Sequence, residues 1–171
     1  LLGPEADLIY PTMTDSLHHE AELVVAIGKS LHNANKCDLE NSIYGYACGL
    51  DMTRRDLQNV AKKQGKPWDM AKDFDGSAII GSITESEQVP AIQSANLKLI
   101  LNGQLQQIGK ISDMIYSVDE ILLDLSKYTK LVPGDLIMTG TPAGVSPVKV
   151  GDRLIVQIEG LKDLTLKVLE K

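Results

Sequence analysis

Aromatic residues are scarce in this sequence: one Phe, one Trp and five Tyr among 171 residues. The core must therefore be aliphatic, and an aromatic platform for stacking single-stranded nucleic acid is not expected. Cysteine is nearly absent as well. Cys37 and Cys48 match no zinc spacing and no disulfide framework, and are expected as two reduced thiols, buried or half-buried. Long apolar runs are missing. The longest, Leu23 to Ile27, falls far short of the ~20 residues that span a bilayer. There is no excess of basic charge either: 17 Lys and Arg face 23 Asp and Glu, a formal net charge of −6. A nucleic-acid or membrane partner is not expected, because phosphate contacts need clustered Lys and Arg. No Walker-type or dinucleotide-type glycine loop, internal repeat or low-complexity tract is present. These absences lead us to expect the cytoplasm, or the mitochondrion in a eukaryote.

What is present is a chain 43% apolar, enough for a packed core. Its length suits one domain, residues 1–171, at roughly 150 residues per domain. Glu20 to Ile27 alternates and then turns continuously apolar, which predicts a strand entering the core. Asp38–Asn41 is expected to open a short helix running toward Tyr46, followed by a strand over Ala47 to Met52. Thr53 is a candidate cap for a helix over Arg54 to Lys63, with Leu57, Val60 and Ala61 on one face. Residues 66–76 read as a loop. Leu97 to Leu101 and Gln104 to Gly109 flank Asn102-Gly103, a strong hairpin signal because both turn residues accept positive φ. Ser117 with Glu120 forms a capping-box pattern, and Ile121, Leu122, Leu125 and Tyr128 supply that helix with an apolar face. Turns at Gly134-Asp135 and Gly151-Asp152 lead into strands over Leu136 to Thr139 and Leu154 to Ile158, and Leu164 to Leu169 makes a last strand. Strands outnumber helices and are joined by tight turns, so the fold class is α+β and β-rich, not an alternating βαβ sheet.

The most informative local pattern is Glu20-Ala21-Glu22 at the head of the apolar strand. Residues i and i+2 of a strand share a face, so the two carboxylates repel each other unless a cation joins them. Asp51, in the next apolar strand, is a candidate third ligand. Three carboxylates suit a hard ion, Mg²⁺, Mn²⁺ or Ca²⁺, better than zinc. The competing reading is a pair of ordinary solvent-facing glutamates. His18 and His19 adjoin the pair, either as ligand or base, or as turn residues and hydrogen-bond partners of the ligands.

Asp51, Arg55 and Gln58 follow at spacings that bring them near one another where a strand runs into a helix, and Lys72 can neutralise a further charge. A cation in a first helical turn opposes the helix dipole, so either Arg54 or Arg55 is expected to have another task. Thr139-Gly140-Thr141-Pro142-Ala143-Gly144-Val145 is rich in small residues whose N–H groups can approach an anionic oxygen; it reads equally as a plain turn.

Taken in order, these segments resemble the fumarylacetoacetate hydrolase family. The matching stretches are His18-His19-Glu20-Ala21-Glu22-Leu23, Gly49-Leu50-Asp51-Met52-Thr53-Arg54-Arg55-Asp56-Leu57-Gln58, Gly65-Lys66-Pro67-Trp68 with Lys72 to Asp75, Leu101-Asn102-Gly103, and Pro133 to Pro142. The likeness is greatest to the single-domain acylpyruvase and oxaloacetate decarboxylase branch. It implies a mixed β-sandwich roll, a homodimer, and Mg²⁺ or Mn²⁺ on Glu20, Glu22 and Asp51, with Ca²⁺ as a substitute. It places Arg55, Gln58, Lys72 and Thr141 in a pocket for small 2-oxo acids, with Lys72 and Thr141 as the catalytic pair. The implied activity is metal-dependent C–C cleavage, as in acylpyruvate hydrolysis. The alternatives are oxaloacetate decarboxylation, dicarboxylate isomerisation or tautomerisation, and a non-catalytic domain that binds metal and 2-oxo acids. Two departures from the family pattern stand out. Hydrolytic members carry a His and a Glu on a lid helix ahead of the acidic strand, and residues 1–19 hold no such pair; a lid segment upstream of Leu1 is the expected explanation. Arg54 stands where the family usually has a small residue, and is expected to face solvent.

Overall fold

The structure is a computed structural model, described here for residues 1–4 and 6–170. Its strands are β1 (Ala6–Ile9), β2 (Leu17–His18), β3 (Ala21–Ile27), β4 (Ile43–Asp51), β5 (Thr53–Arg54), β6 (Ala78–Ile80), β7 (Thr84–Glu85), β8 (Asn96–Leu101), β9 (Gln104–Lys110), β10 (Leu136–Met138), β11 (Arg153–Ile158) and β12 (Leu164–Leu169). Its α-helices are α1 (Arg55–Lys63), α2 (Asp69–Lys72) and α3 (Val118–Tyr128). Of two five-stranded sheets, one runs β10-β3-β4-β6, with β7 also on β4, and the other runs β1-β12-β11-β8-β9; β2 and β5 form a separate antiparallel pair. All pairs in these two sheets are antiparallel except β1 with β12, so the β-rich α+β expectation holds as a mixed two-sheet roll.

The two sheets meet through β3 against β8 and β4 against β11. Leu23, Val25, Cys48 and Leu50 from one sheet and Leu97, Leu99, Leu154 and Val156 from the other form a single aliphatic core. Period-two alternation decides what lies behind it. On β3 the odd residues enter this core, while Glu22, Val24 and Ala26 point to the far face. There Val24, Ala47 and Ile80 make a small second cluster, covered by Leu136 and Met138. The far face is therefore covered as well, which is why all seven residues of β3 are buried.

Several local expectations are corrected. The expected helix toward Tyr46 is a short 3₁₀ turn, Lys36–Leu39, capped by Asn35 and not Asp38; β4 begins at Ile43 because Tyr46 and Cys48 are drawn into the core. Thr53 belongs to β5 and does not cap α1. The expected apolar stripe of α1 is not its buried face: Gln58 is the buried residue and Val60 is exposed, because the inward side of this helix meets polar groups. On α3 the capping box forms as expected, but Val118, Leu122 and Ser126 are buried and Tyr128 is 81% exposed. Residues 66–76 are not all loop, since they hold α2. Cys37 is exposed; Cys48 is buried among aliphatic side chains, and that burial pushes its thiol up to about 12.

Turn chemistry fixes the loops that matter. Asn102 and Gly103 both have positive φ, 50° and 80°, so the Asn-Gly hairpin is as expected. Gly144 has φ +100° and lies against the β8–β9 hairpin, where an added Cβ would meet the Gln106 carbonyl oxygen at 2.2 Å. Gly151 has φ +93° with open space around it. Gly151→Ala should therefore lose only the conformational term, roughly 1–2 kcal/mol in denaturant unfolding, and Gly144→Ala clearly more. Equal losses would mean that the loop does not pack as closely as described.

Candidate active site

The register of β3 on β4 builds the site. Ala21 pairs with Leu50 and Glu22 with Gly49, and the Asp51 N–H donates to the Glu20 carbonyl at 2.9 Å. Glu20 and Asp51 thus lie opposite each other at one end of the strand pair. Glu20, Glu22 and Asp51 each offer a carboxylate oxygen, and these oxygens lie within 4.8 Å of one another. The solvent-facing reading of the glutamates is excluded, since Glu20 is 8% and Glu22 4% exposed. Oxygens around one hard divalent ion at about 2.0–2.6 Å are typically separated by about 3–5 Å, so the triad matches such an ion in size and in donor type.

Cationic side chains surround two of the three carboxylates. The Lys72 ammonium donates to Glu20 Oε2 and Asp51 Oδ2, each at 2.6 Å, and to Thr53 Oγ1 at 2.8 Å. The Arg55 guanidinium donates to Glu20 Oε1 and to Gln58 Oε1. Arg55 is thus the helix-start cation with another task. Burial works against ionisation of Glu20, but the hydrogen bonds from Lys72 and Arg55 outweigh it and hold its carboxyl below the ordinary value. For Asp51, burial outweighs the Lys72 contact and the carboxyl is raised.

Among the described residues no cation hydrogen-bonds to Glu22. Its hydrogen bond among the described residues comes from the Gly140 N–H to Oε2 at 2.7 Å. Burial, reinforced by the charges of Asp51 and Glu20, raises its carboxyl to about 7 against the pull of that N–H. A buried carboxylate beside two others, held by one neutral donor, is what a divalent ion would relieve.

Three segments deliver the remaining groups. The strand β10 pairs with the far end of β3, and the chain beyond it runs along β3 toward Glu22. Thr139 Oγ1 donates to the Leu23 carbonyl at 2.9 Å, the Gly140 N–H reaches Glu22, and Thr141 Oγ1 donates to the Ala21 carbonyl at 2.8 Å. The small-residue loop is therefore no plain turn: it lies on the acidic strand. Lys72 closes α2, where Ala71 is buried beneath it. Arg54 does not point freely to solvent. Its guanidinium lies 4.4 Å from the centre of the Phe74 ring and Nη1 donates to the Met70 carbonyl at 3.2 Å, so it fastens the segment that carries Lys72.

The histidines are not in the acidic cluster. His19 is fully buried, with Nδ1 3.0 Å from Gln107 Oε1 and Nε2 2.8 Å from Ser146 Oγ, and burial lowers its pKa below the usual histidine value. His18 is half-buried, with Nε2 3.2 Å from Ser16 Oγ. His32 is exposed. Thr53 and Gln107 are site residues that the sequence reading did not single out. By its sequence context Thr53 reads as a helix cap, and Gln107 is one of three similar glutamines on one strand, 86 residues from its partner Ala21.

A β-roll that gathers three carboxylates, two buried and one half-buried, beneath a lysine and an arginine defines a class: an enzyme with an acid triad whose donor set suits a hard cation. The chain belongs to the fumarylacetoacetate hydrolase family, since the family model described as fumarylacetoacetate (FAA) hydrolase C-terminal matches residues 1–169. A fumarylpyruvate hydrolase from Ralstonia sp is 45% identical over 168 residues, 98% of this chain and 87% of the relative. The human mitochondrial oxaloacetate tautomerase FAHD1 is 41% identical over 167 residues, 97% of this chain and 76% of the relative. The crystal structure of fumarylpyruvate hydrolase from Pseudomonas aeruginosa, in complex with Mn²⁺ and pyruvate, superposes with a TM-score of 0.94 at 40% identity, covering 99% of this chain and 74% of that one.

The Glu22 environment sets a pH dependence for the chelator-treated protein. The folded-state carboxyl is raised to about 7 from an ordinary value of 4.5, so folding is opposed increasingly as pH rises between these values. The lost stability is on the order of 3 kcal/mol. Glu22→Gln should remove most of that fall in urea unfolding between pH 5 and 8. A wild-type profile that rises with pH over this range, and Glu22→Gln following it, would contradict the described environment.

Proposed function

We propose that this chain is a divalent-metal-dependent enzyme acting on C–C bonds of small 2-oxo acids, with fumarylpyruvate- or acetylpyruvate-type hydrolysis as its main activity. The observation that carries this reading is the Glu20–Glu22–Asp51 triad, its two glutamates buried, under Lys72 and Arg55. The similarity to fumarylpyruvate hydrolases, one of them holding Mn²⁺ and pyruvate, supports it.

In this reading Glu20, Glu22 and Asp51 hold Mg²⁺ or Mn²⁺, with Ca²⁺ as a poorer substitute. When bound, the ion supplies Lewis-acid polarisation of the 2-oxo acid's oxygens. Arg55, oriented by Gln58, binds and orients the substrate's carboxylate. Lys72 neutralises negative charge that develops as the bond breaks. The Thr141 loop walls the site, holds Glu22 through the Gly140 N–H, and keeps the substrate aligned. Residues 1–171 act as one catalytic domain.

A second reading, oxaloacetate tautomerase, is supported by the similarity to the human FAHD1 protein. The same groups would then hold the dicarboxylate while a proton moves between carbon and oxygen. The proposal extends to a homodimer, supported by an apolar face: Ile115 is 92% and Tyr116 65% exposed beside an apolar cavity of about 450 Å³, and Leu105 and Ile108 are exposed on the edge strand β9. Among the described residues no helix is long and apolar enough to cross a membrane. We place the protein in the cytoplasm, or in the mitochondrion if the source is eukaryotic.

A turnover panel tests this reading: fumarylpyruvate, acetylpyruvate and oxaloacetate with Mg²⁺ or Mn²⁺, following cleavage, decarboxylation and enol–keto exchange separately. Acylpyruvate cleavage should depend on added metal and vanish in EDTA. Glu22→Ala and Asp51→Ala should abolish it, and Lys72→Met should lower kcat by about 10²–10³-fold. Fast exchange of oxaloacetate without acylpyruvate cleavage selects the tautomerase. Full turnover by either carboxylate variant in EDTA would sink the metal assignment, and inactivity on all three substrates would leave a binding domain.

A further inference from the structure

We propose that Gln107 fixes the hydrogen-bond polarity of the site, and that through it the Thr141 hydroxyl faces a bound ligand as an acceptor and not as a donor. Gln107 is 0% exposed and all four hydrogen-bonding positions of its carboxamide are filled. Oε1 receives the Ala21 N–H at 3.1 Å and faces His19 Nδ1 at 3.0 Å. Nε2 donates to Thr141 Oγ1 at 2.7 Å and to the Pro142 carbonyl at 2.9 Å.

Two of these partners are backbone groups with a single possible role. The Ala21 N–H can only donate and the Pro142 carbonyl can only accept, so the amide cannot be turned end for end. The rest follows in order. His19 must carry its proton on Nδ1, because Oε1 only accepts. In the neutral ring Nε2 is then an acceptor, and the Ser146 hydroxyl at 2.8 Å donates to it. On the other side, Thr141 Oγ1 receives an amide hydrogen from Gln107. Its own proton goes to the Ala21 carbonyl at 2.8 Å, again a group that can only accept. The hydroxyl keeps one lone pair and has no proton to give.

Gln107 is therefore a positioning residue that ties the β8–β9 hairpin, the start of β3 and the loop 139–142 into one arrangement. Thr141 is then a positioning residue as well, where the family resemblance implies a catalytic one. A ligand group seated against its Oγ1 is matched when it donates, as an enol hydroxyl does, and is not helped when it is a carbonyl or carboxylate oxygen. This last step rests on the proposed 2-oxo acid reading; the assignment of Gln107 does not.

The test combines ring ¹⁵N–¹H NMR on the chelator-treated protein with ligand binding to the Mn²⁺-loaded protein. The His19 ring, assigned with His18→Gln and His32→Gln, should be the neutral Nδ1–H tautomer. Gln107→Met, similar in size and without the amide, should lose that fixed state. A wild-type Nε2–H tautomer, which needs no variant to be seen, would overturn the role of Gln107; so would a folded Gln107→Met protein with an unchanged His19 signal. Thr141→Val loses the positioning bonds for every ligand, so the readout is a ratio: the affinity of glycolate, whose hydroxyl can donate, should fall by a larger factor than that of oxalate, a ligand with acceptors only. An equal or larger loss for oxalate would overturn the acceptor assignment. Failure of wild type to bind oxalate would count against the 2-oxo acid reading, while the His19 spectrum still decides the role of Gln107.

Discussion

Three carboxylates brought within 4.8 Å of one another by the pairing of two strands are the constraint around which this molecule is arranged. Like charges at that range, withdrawn from water, do not persist without compensation. The surrounding structure supplies it in parts. Lys72 joins Glu20 to Asp51, Arg55 takes the other oxygen of Glu20, and a single backbone N–H holds Glu22. The compensation is uneven, and the least compensated carboxylate is the deepest one. That unevenness supports our proposal of a cation site over a structural salt-bridge network.

Placement of the compensating groups explains features that otherwise look like faults. A helix that begins with two arginines is poorly started by the ordinary rules of helix dipoles. Here Arg55 is directed at Glu20, and Arg54 lies over Phe74 and fastens the segment bearing Lys72. The helix α1 buries a glutamine and not its apolar residues, because its inner side presents Gln58 and Arg55 to Glu20 of the acidic cluster. A buried glutamine with four satisfied positions links the second sheet to the same centre. Each departure from local preference serves the site, where local rules are expected to yield.

Much of this was legible in the sequence. The acidic pair at the head of an apolar strand, Asp51 in the next strand, the Asn-Gly hairpin and the Ser117 capping box all lie where their local patterns place them. These features depend on spacings of a few residues, which periodicity can read. What escaped depends on distant partners. Thr53 looks like a helix cap until the Lys72 ammonium is seen to donate to it. Tyr128 looks like part of an apolar face, yet the core beneath α3 is reached by Val118 and Leu122. Gln107 resembles its neighbours Gln104 and Gln106, and only the fold brings it to Ala21 and Thr141. Family resemblance supplied the order of the motifs, and the geometry supplied their relation to one another.

Anomalous diffraction from crystals grown without chelator and soaked in Mn²⁺ tests the central claim most directly. The account predicts one strong anomalous peak bounded by carboxylate oxygens of Glu20, Glu22 and Asp51, with the Lys72 ammonium drawn away from its bridge between Glu20 and Asp51. A map without a peak at the triad, with Lys72 still bridging the two carboxylates, would contradict it.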